Sequence, residues 1–271
     1  MWLRGFDAVV MDSAGRPLSR SLLHHINLLH FGRRQLLHPI LERTLAAGQE
    51  TEAVHLPKGI GVRVETGAPM GLLTAWANDA AEPQSVILEL RLDYLPNDLN
   101  PRPMEVRTLM FDLGFAPGES DAFDLPPGRS VFQRDYQFPV DGRLLAVGGH
   151  LHDYGESLEL IDLATGKAVV SLHPAADAEG KVTAMPRQLF GVTGEGLRLR
   201  AGRRYRLIAV YQNQMPHPIT NGGMAVMGGI FAPDHPRDWP ALDPTNPDYR
   251  TDLLDLERMG VVLAAAASRT P

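Results

Sequence analysis

The run Gly196-Leu197-Arg198-Leu199-Arg200, the turn Ala201-Gly202-Arg203, and Tyr205-Arg206-Leu207-Ile208-Ala209-Val210-Tyr211 form the clearest β-hairpin in this sequence. Apolar and polar residues alternate with a period of two, the repeat of a strand with one face turned to a core. The same pattern predicts strands at residues 5–11, 59–65, 70–76, 85–92, 109–113, 130–138, 144–152, 157–161 and 168–172. Asp12-Ser13-Ala14-Gly15-Arg16-Pro17 and Ala164-Thr165-Gly166-Lys167 read as turns. Short strands punctuated by 26 Gly and 22 Pro argue for all-β sandwiches and against alternating α/β units. Three segments stand apart. Residues 35–49 admit a short helix or a loop with a helical turn, residues 248–259 a short helix, and residues 261–267 a final apolar strand or tail.

At 271 residues the chain is long enough for one large or two ordinary domains. Between Leu95 and Pro103, three prolines and three Asn or Asp fall within nine residues, so a boundary is expected there, dividing the chain into 1–103 and 104–271. With 26 Lys+Arg against 32 Asp+Glu and a net charge of -6, the chain lacks the basic footprint of a nucleic-acid or anionic-membrane binder. No apolar run reaches the length of a membrane span, and the Met1-Trp2-Leu3-Arg4-Gly5 start lacks a secretory apolar region. Neither a nucleic acid nor a membrane span is expected. Cysteine is absent, which leaves His, Met and carboxylates as the available metal ligands.

The stretch Gly148-Gly149-His150-Leu151-His152-Asp153-Tyr154-Gly155 carries the strongest chemical signal. In a strand, His150 and His152 point to the same face, and two imidazoles so placed can share one ion. Zinc, copper, iron and nickel all accept imidazole, so the pair alone does not name the metal. A second stretch, Thr220-Asn221-Gly222-Gly223-Met224-Ala225-Val226-Met227-Gly228-Gly229-Ile230-Phe231, sets Met224 among paired glycines. Methionine ordinarily fills cores, but a thioether is also a soft ligand that selects copper among the metals imidazole tolerates. His24 and His25 are adjacent, so they meet one ion only if their strand is bulged or twisted. Asp153, Tyr154 and Glu156 lie close enough in sequence to orient the imidazoles.

A His-His pair, the turn Pro126-Pro127-Gly128, His-x-His before a glycine-bearing bend and then a late methionine resemble the type II, ascorbate-dependent copper monooxygenases. That family includes the peptidylglycine α-hydroxylating and dopamine β-type enzymes, and the chain looks like a bacterial relative. The resemblance implies two jelly-roll-like antiparallel β-sandwich domains with a copper on each, facing one another across a solvent-filled gap. It implies that His150, His152 and Met224 hold the oxygen-activating copper and that His24 and His25 are two of three ligands to an electron-storing copper. It further implies O2 and a small-molecule substrate as partners, ascorbate or another one-electron reductant, and a periplasmic or extracellular location.

The pattern departs from the family in three places. The strand expected to bring the third histidine reads Gly71-Leu72-Leu73-Thr74-Ala75-Trp76-Ala77-Asn78, so the site is either two-coordinate, completed by another histidine such as His30 or His55, or not a copper site. Gly148, Val226 and Gly228 stand where the peptide-amidating enzymes have an Arg, an Asn and a Tyr, which removes a carboxylate clamp and points to a non-peptide substrate. The family's disulfides are missing too. Two other readings remain open: a non-catalytic or degenerate copper-binding β-sandwich, and a single-metal cupin-like enzyme using His150, His152 and Glu156 with His217 as the later histidine.

Overall fold

The alternating runs become strands of antiparallel sheets in the computed structural model, which describes residues 1–49, 51–78, 82, 85–118, 121–191 and 195–259. The chain is mostly β and divides into two compact units. One holds Met1–Arg34, Ile40–Val106 and the segment from Leu242 through the helix near the C-terminus, and the other holds Gln35–Pro39 and Arg107–Ala241.

In the first unit, β1 (Trp2–Met11), β2 (Leu23–Arg34), β3 (Leu41–Gly48), β4 (Val54–His55), β5 (Ile60–Arg63), β6 (Met70–Trp76) and β7 (Ile87–Leu95) build two sheets. β1 pairs along its length with β7, and on its other edge first with β5 and then with β4. The change of partner coincides with a bulge: Leu3 opposes Tyr94 and Gly5 opposes Asp93, so Arg4 is the extra residue. β2 lies between β3 and β6 in the second sheet. Residues 41–48 are therefore strand and not helix. Their ladder with β2, Leu28 against Leu45 and Ile26 against Ala47, buries most of their side chains and overrides local propensity.

The predicted helix is α1 (Pro247–Arg258), opened by Pro247 and capped by Asn246, whose side chain accepts from the Asp248 and Tyr249 amides. Leu256 packs with Leu29 and Leu41, and Tyr249, Leu253 and Leu73 flank them. Asp252, 7% exposed, takes both ends of the Arg43 guanidinium and the Leu41 amide. The apolar run at 261–267 lies outside the described residues.

β8 (Met104–Asp112) carries the chain from the first unit to the second. Its first residues pair in parallel with β5, and from Arg107 onward it pairs with the final strand. The second unit adds β9 (Phe123–Leu125), β10 (Gly128–Gln137), β11 (Gly142–Leu151), β12 (Gly155–Asp162), β13 (Lys167–Leu172), β14 (Ala175–Ala176) and β15 (Val182–Ala184). There follow β16 (Gln188–Leu189), β17 (Leu197–Leu199), β18 (Arg204–Asn213), β19 (Ile219–Gly223) and β20 (Ala225–Pro233). One sheet joins β11, β20 and β8, with β16 and β17 on the other edge of β11, and another runs β10-β18-β12-β13. Leu109, Phe111, Leu144, Val147, Leu151, Met227 and Phe231 from the first meet Tyr136, Leu158, Leu160, Leu207, Ala209 and Tyr211 from the second in one core.

The hairpin expected at 196–211 is corrected by this pairing. The chain does turn between Arg200 and Arg203, but β17 joins β11 while β18 lies between β10 and β12. Alternation marks both as half-buried strands. It carries no information on which sheet each joins, and here the turn is a corner between two layers.

Candidate metal centre

The His-x-His stretch ends β11, and its partner is β20. His150 opposes Val226 and Leu151 opposes Ala225; one step on, the His152 amide donates to the Met224 carbonyl at 3.2 Å. Residues directly opposed in an antiparallel pair share a face, so this register puts His150, His152 and Met224 on one side of the β11–β20 pair. Leu151 and Ala225 fill the other side, in the core. The two imidazoles stand 5.2 Å apart between centroids and perpendicular, both are half-buried, and the Nε2 of His152 is shielded from solvent. Met224 is also half-buried and does not join the hydrophobic core, which takes Met227 instead.

Two features beneath this face hold its backbone. Tyr211 is fully buried on β18, donates its hydroxyl to the Met224 carbonyl, and lies against the His152 backbone. Burial pushes its phenol well above the ordinary tyrosine value, so it stays a neutral donor. Sequence reasoning missed Tyr211, because its partners come from a different sheet. Two residues after His152, Tyr154 adopts φ +67°, a conformation unfavourable for a bulky side chain. It is held there by its N–H donating to the Gly180 carbonyl at 2.7 Å and by its carbonyl accepting from the Gln212 amide at 2.8 Å. Gly180 admits the ring, since a Cβ there would come within 2.7 Å of it.

Asp153 and Glu156, two of the residues expected to orient the imidazoles, also make contacts of their own. Asp153 accepts from the Val182 amide at 3.0 Å, and the exposed Glu156 offers its carbonyl to the His173 ring at 3.3 Å. The exposed His217 has its Nδ1 within 3.1 Å of the Pro218 carbonyl. Among the described residues no three of His, Asp or Glu come together as a metal-binding group, so the carboxylate-completed, cupin-like set is not assembled. A set of two histidines and one methionine needs no third His, Asp or Glu, and His150, His152 and Met224 supply it. That set suits a soft cation, copper foremost.

Along the same face, Gly148 opposes Gly228, which opposes Met110 on β8. A Cβ at Gly228 would meet open space, and one at Gly148 would lie 3.7 Å from the Arg187 side chain. A strip bare of side chains thus runs beside the imidazoles, bordered by Arg187, which the sequence did not single out. On the far side of Val226 lies Asp112. Its carboxyl accepts from the Gly114 amide at 3.0 Å, and burial, reinforced by Asp121, pushes its pKa up to about 7 against the opposing pull of that hydrogen bond and of Arg134. Tyr136 caps the backbone here, its hydroxyl accepting from the Asp112 amide and donating to the Asp112 carbonyl.

No protein-family model matches this sequence, and no curated protein does. Among solved structures, the chain is similar to that of infectious bursal disease virus Gx strain, at 12% identity over 89% of this chain and 59% of that one, with a TM-score of 0.23. A VP2 subviral particle of the same virus gives 14% identity over 95% and 73%, with a TM-score of 0.22. The chain thus spans about three fifths of the first of these, and likeness at such TM-scores carries no argument about fold or function.

In the first unit, His24 and His25 meet the condition their adjacency imposes. Leu23 opposes Trp76 and His25 opposes Ala75, so His24 is the extra residue of a bulge in β2. A bulge turns both side chains toward one side, and the two rings lie 5.0 Å apart between centroids at 51°. The facing strand offers Thr74, Ala75 and Trp76. His30 is drawn elsewhere: its Nδ1 accepts from the Gly32 amide at 3.1 Å and its Nε2 lies 3.6 Å from Glu65, within a cluster holding Arg33 and the fully buried Glu42. Burial, aided by Arg33, holds its pKa below the usual histidine value. His55 pairs across β1 with Gly5, in the other sheet. Neither is thereby joined to the His24–His25 pair.

Proposed function

We propose that this chain is a copper-dependent monooxygenase-like protein, each unit a jelly-roll-like antiparallel sandwich, with His150, His152 and Met224 as the metal ligands. The observation that supports this reading is the register of β11 against β20, in which Met224 stands opposite His152 and two residues across from His150. Copper bound to two imidazoles and a thioether supplies reductive activation of O2 for hydroxylation of an activated C–H bond. The protein's residues hold the ligands and receive the substrate. Tyr211 and the Tyr154 turn fix the backbone that carries both donors, and the glycine strip at Gly148 and Gly228 leaves room for a substrate beside the imidazoles. Val226 and the two glycines provide no carboxylate clamp, which favours a non-peptide substrate.

A second reading, a copper-binding protein without catalysis, draws on the first unit, where the His24–His25 pair belongs to no group of three His, Asp or Glu able to hold a metal among the described residues. Copper loading followed by desalting and metal analysis, together with ascorbate-driven O2 consumption, separates the two. The expected result is one tightly held copper per chain that is lost in Met224→Leu and retained when His24 and His25 are both replaced by Ala, with O2 uptake tracking occupancy. A fully copper-loaded chain that consumes no O2 leaves the binder; copper retained unchanged in Met224→Leu removes both readings.

A further inference from the structure

We propose that the first unit carries a site for a small organic phosphate, a phosphate monoester of an apolar alcohol, in the pocket bounded by Arg4, Lys58 and Arg102. The pocket, about 490 Å³, is also lined by Gly59, Leu95, Leu99, Pro101 and Pro103. Its size falls in the range of about 300–1,000 Å³ typical of small-molecule sites. Three cations meet in it, no carboxylate lines it, and none of the three forms an ion pair among the described residues. In a chain of net charge -6, like charges gathered without counter-charge are a local exception that an anion would resolve.

The backbone points the same way. Arg4 is the bulged residue of β1, at the place where the strand exchanges β5 for β4, and a bulge re-aims the side chain it carries. One of its terminal nitrogens is anchored on the Leu56 carbonyl at 3.0 Å, while its Nε is shielded from solvent with no acceptor among the described residues. A buried guanidinium donor left open is costly, and a phosphate oxygen is a matched acceptor for it. Three positive charges favour a doubly charged head over a carboxylate. Leu95, Leu99, Pro101 and Pro103 then offer apolar contact to the body of the ligand. This site is independent of the copper reading.

Calorimetric titration of the full chain at low and at roughly physiological salt, about 0.15 M, tests the proposal with phenyl phosphate, inorganic phosphate and phenol as probes. Phenyl phosphate is expected to bind at least about ten-fold more tightly than either fragment, the sum of a charged and an apolar contact, and to weaken as salt rises. In Lys58→Gln/Arg102→Gln, which alters two exposed side chains and leaves Arg4 in place, affinity is expected to fall about ten-fold or more with the thermal transition unchanged. Phenol binding as tightly as phenyl phosphate, an unaffected double variant, or no binding of phenyl phosphate would each overturn it. Binding to phosphatidic-acid vesicles without binding of phenyl phosphate would assign the cations to a lipid headgroup and likewise overturn it.

Discussion

Tyr211 and Met224 are joined by a hydrogen bond from the phenol to the main-chain carbonyl, across two different sheets of one unit. The same hydroxyl lies against the backbone of His152, so a single buried donor serves the point where the two candidate ligand strands meet. Removing only that hydroxyl, in Tyr211→Phe, leaves the Met224 carbonyl with the His152 amide alone and is expected to cost about 0.5–1.5 kcal/mol of stability. Copper(I) affinity, read by competition with a chelator, should fall as well, with a changed absorption-edge spectrum of the bound metal. A core truncation such as Leu207→Ala, which destabilises the same core by about 2–5 kcal/mol, should leave that spectrum unchanged.

Asp112 makes stability depend on pH in an unusual direction. Its carboxyl has an ordinary value of 3.8 and is pushed up to about 7 in the folded chain. Between those values the native state binds more protons than the unfolded state, so this residue's contribution favours folding at low pH and is lost as pH rises through about 7. Asp112→Asn keeps an oxygen for the Gly114 amide and removes the titration. Urea denaturation across that range should show a flatter pH profile for the variant, with its gain over the native chain largest above pH 7.

Asp252 holds α1 to the first unit through Arg43 and the Leu41 amide. Asp252→Ala leaves a largely buried guanidinium and a main-chain donor together without this carboxylate, at an expected cost of about 3–5 kcal/mol. Leu256→Ala, at the centre of the apolar contact beside it, is expected to cost about 2–5 kcal/mol through the cavity it opens. Chemical denaturation measures both. Because the two groups share one interface, the double variant should lose less than the sum.

Much of the secondary structure is legible in the chain because burial on one face of a strand writes a period of two into the sequence. Residues 204–213, where buried and less buried side chains alternate throughout, are a plain case. The same logic fails for residues 41–48, whose Leu, Thr and Ala pattern suits either element until β2 lies beside it. It fails again at 196–211, where two correctly placed strands belong to different sheets. Arg4 and Tyr211 carry no local signal at all. One acquires its role from a bulge and the other from a carbonyl thirteen residues away in an opposing layer.

By itself the sequence determined that His150 and His152 share a face, since alternation is a property of any extended backbone, and that no thiolate could join them, since the chain has no cysteine. Only tertiary structure decided that Met224 stands opposite His152 and that a bulge brings His24 and His25 to one side. Strand register and bulges follow from how whole sheets bury their apolar faces and satisfy their amides, and that balance is struck among residues far apart in the chain.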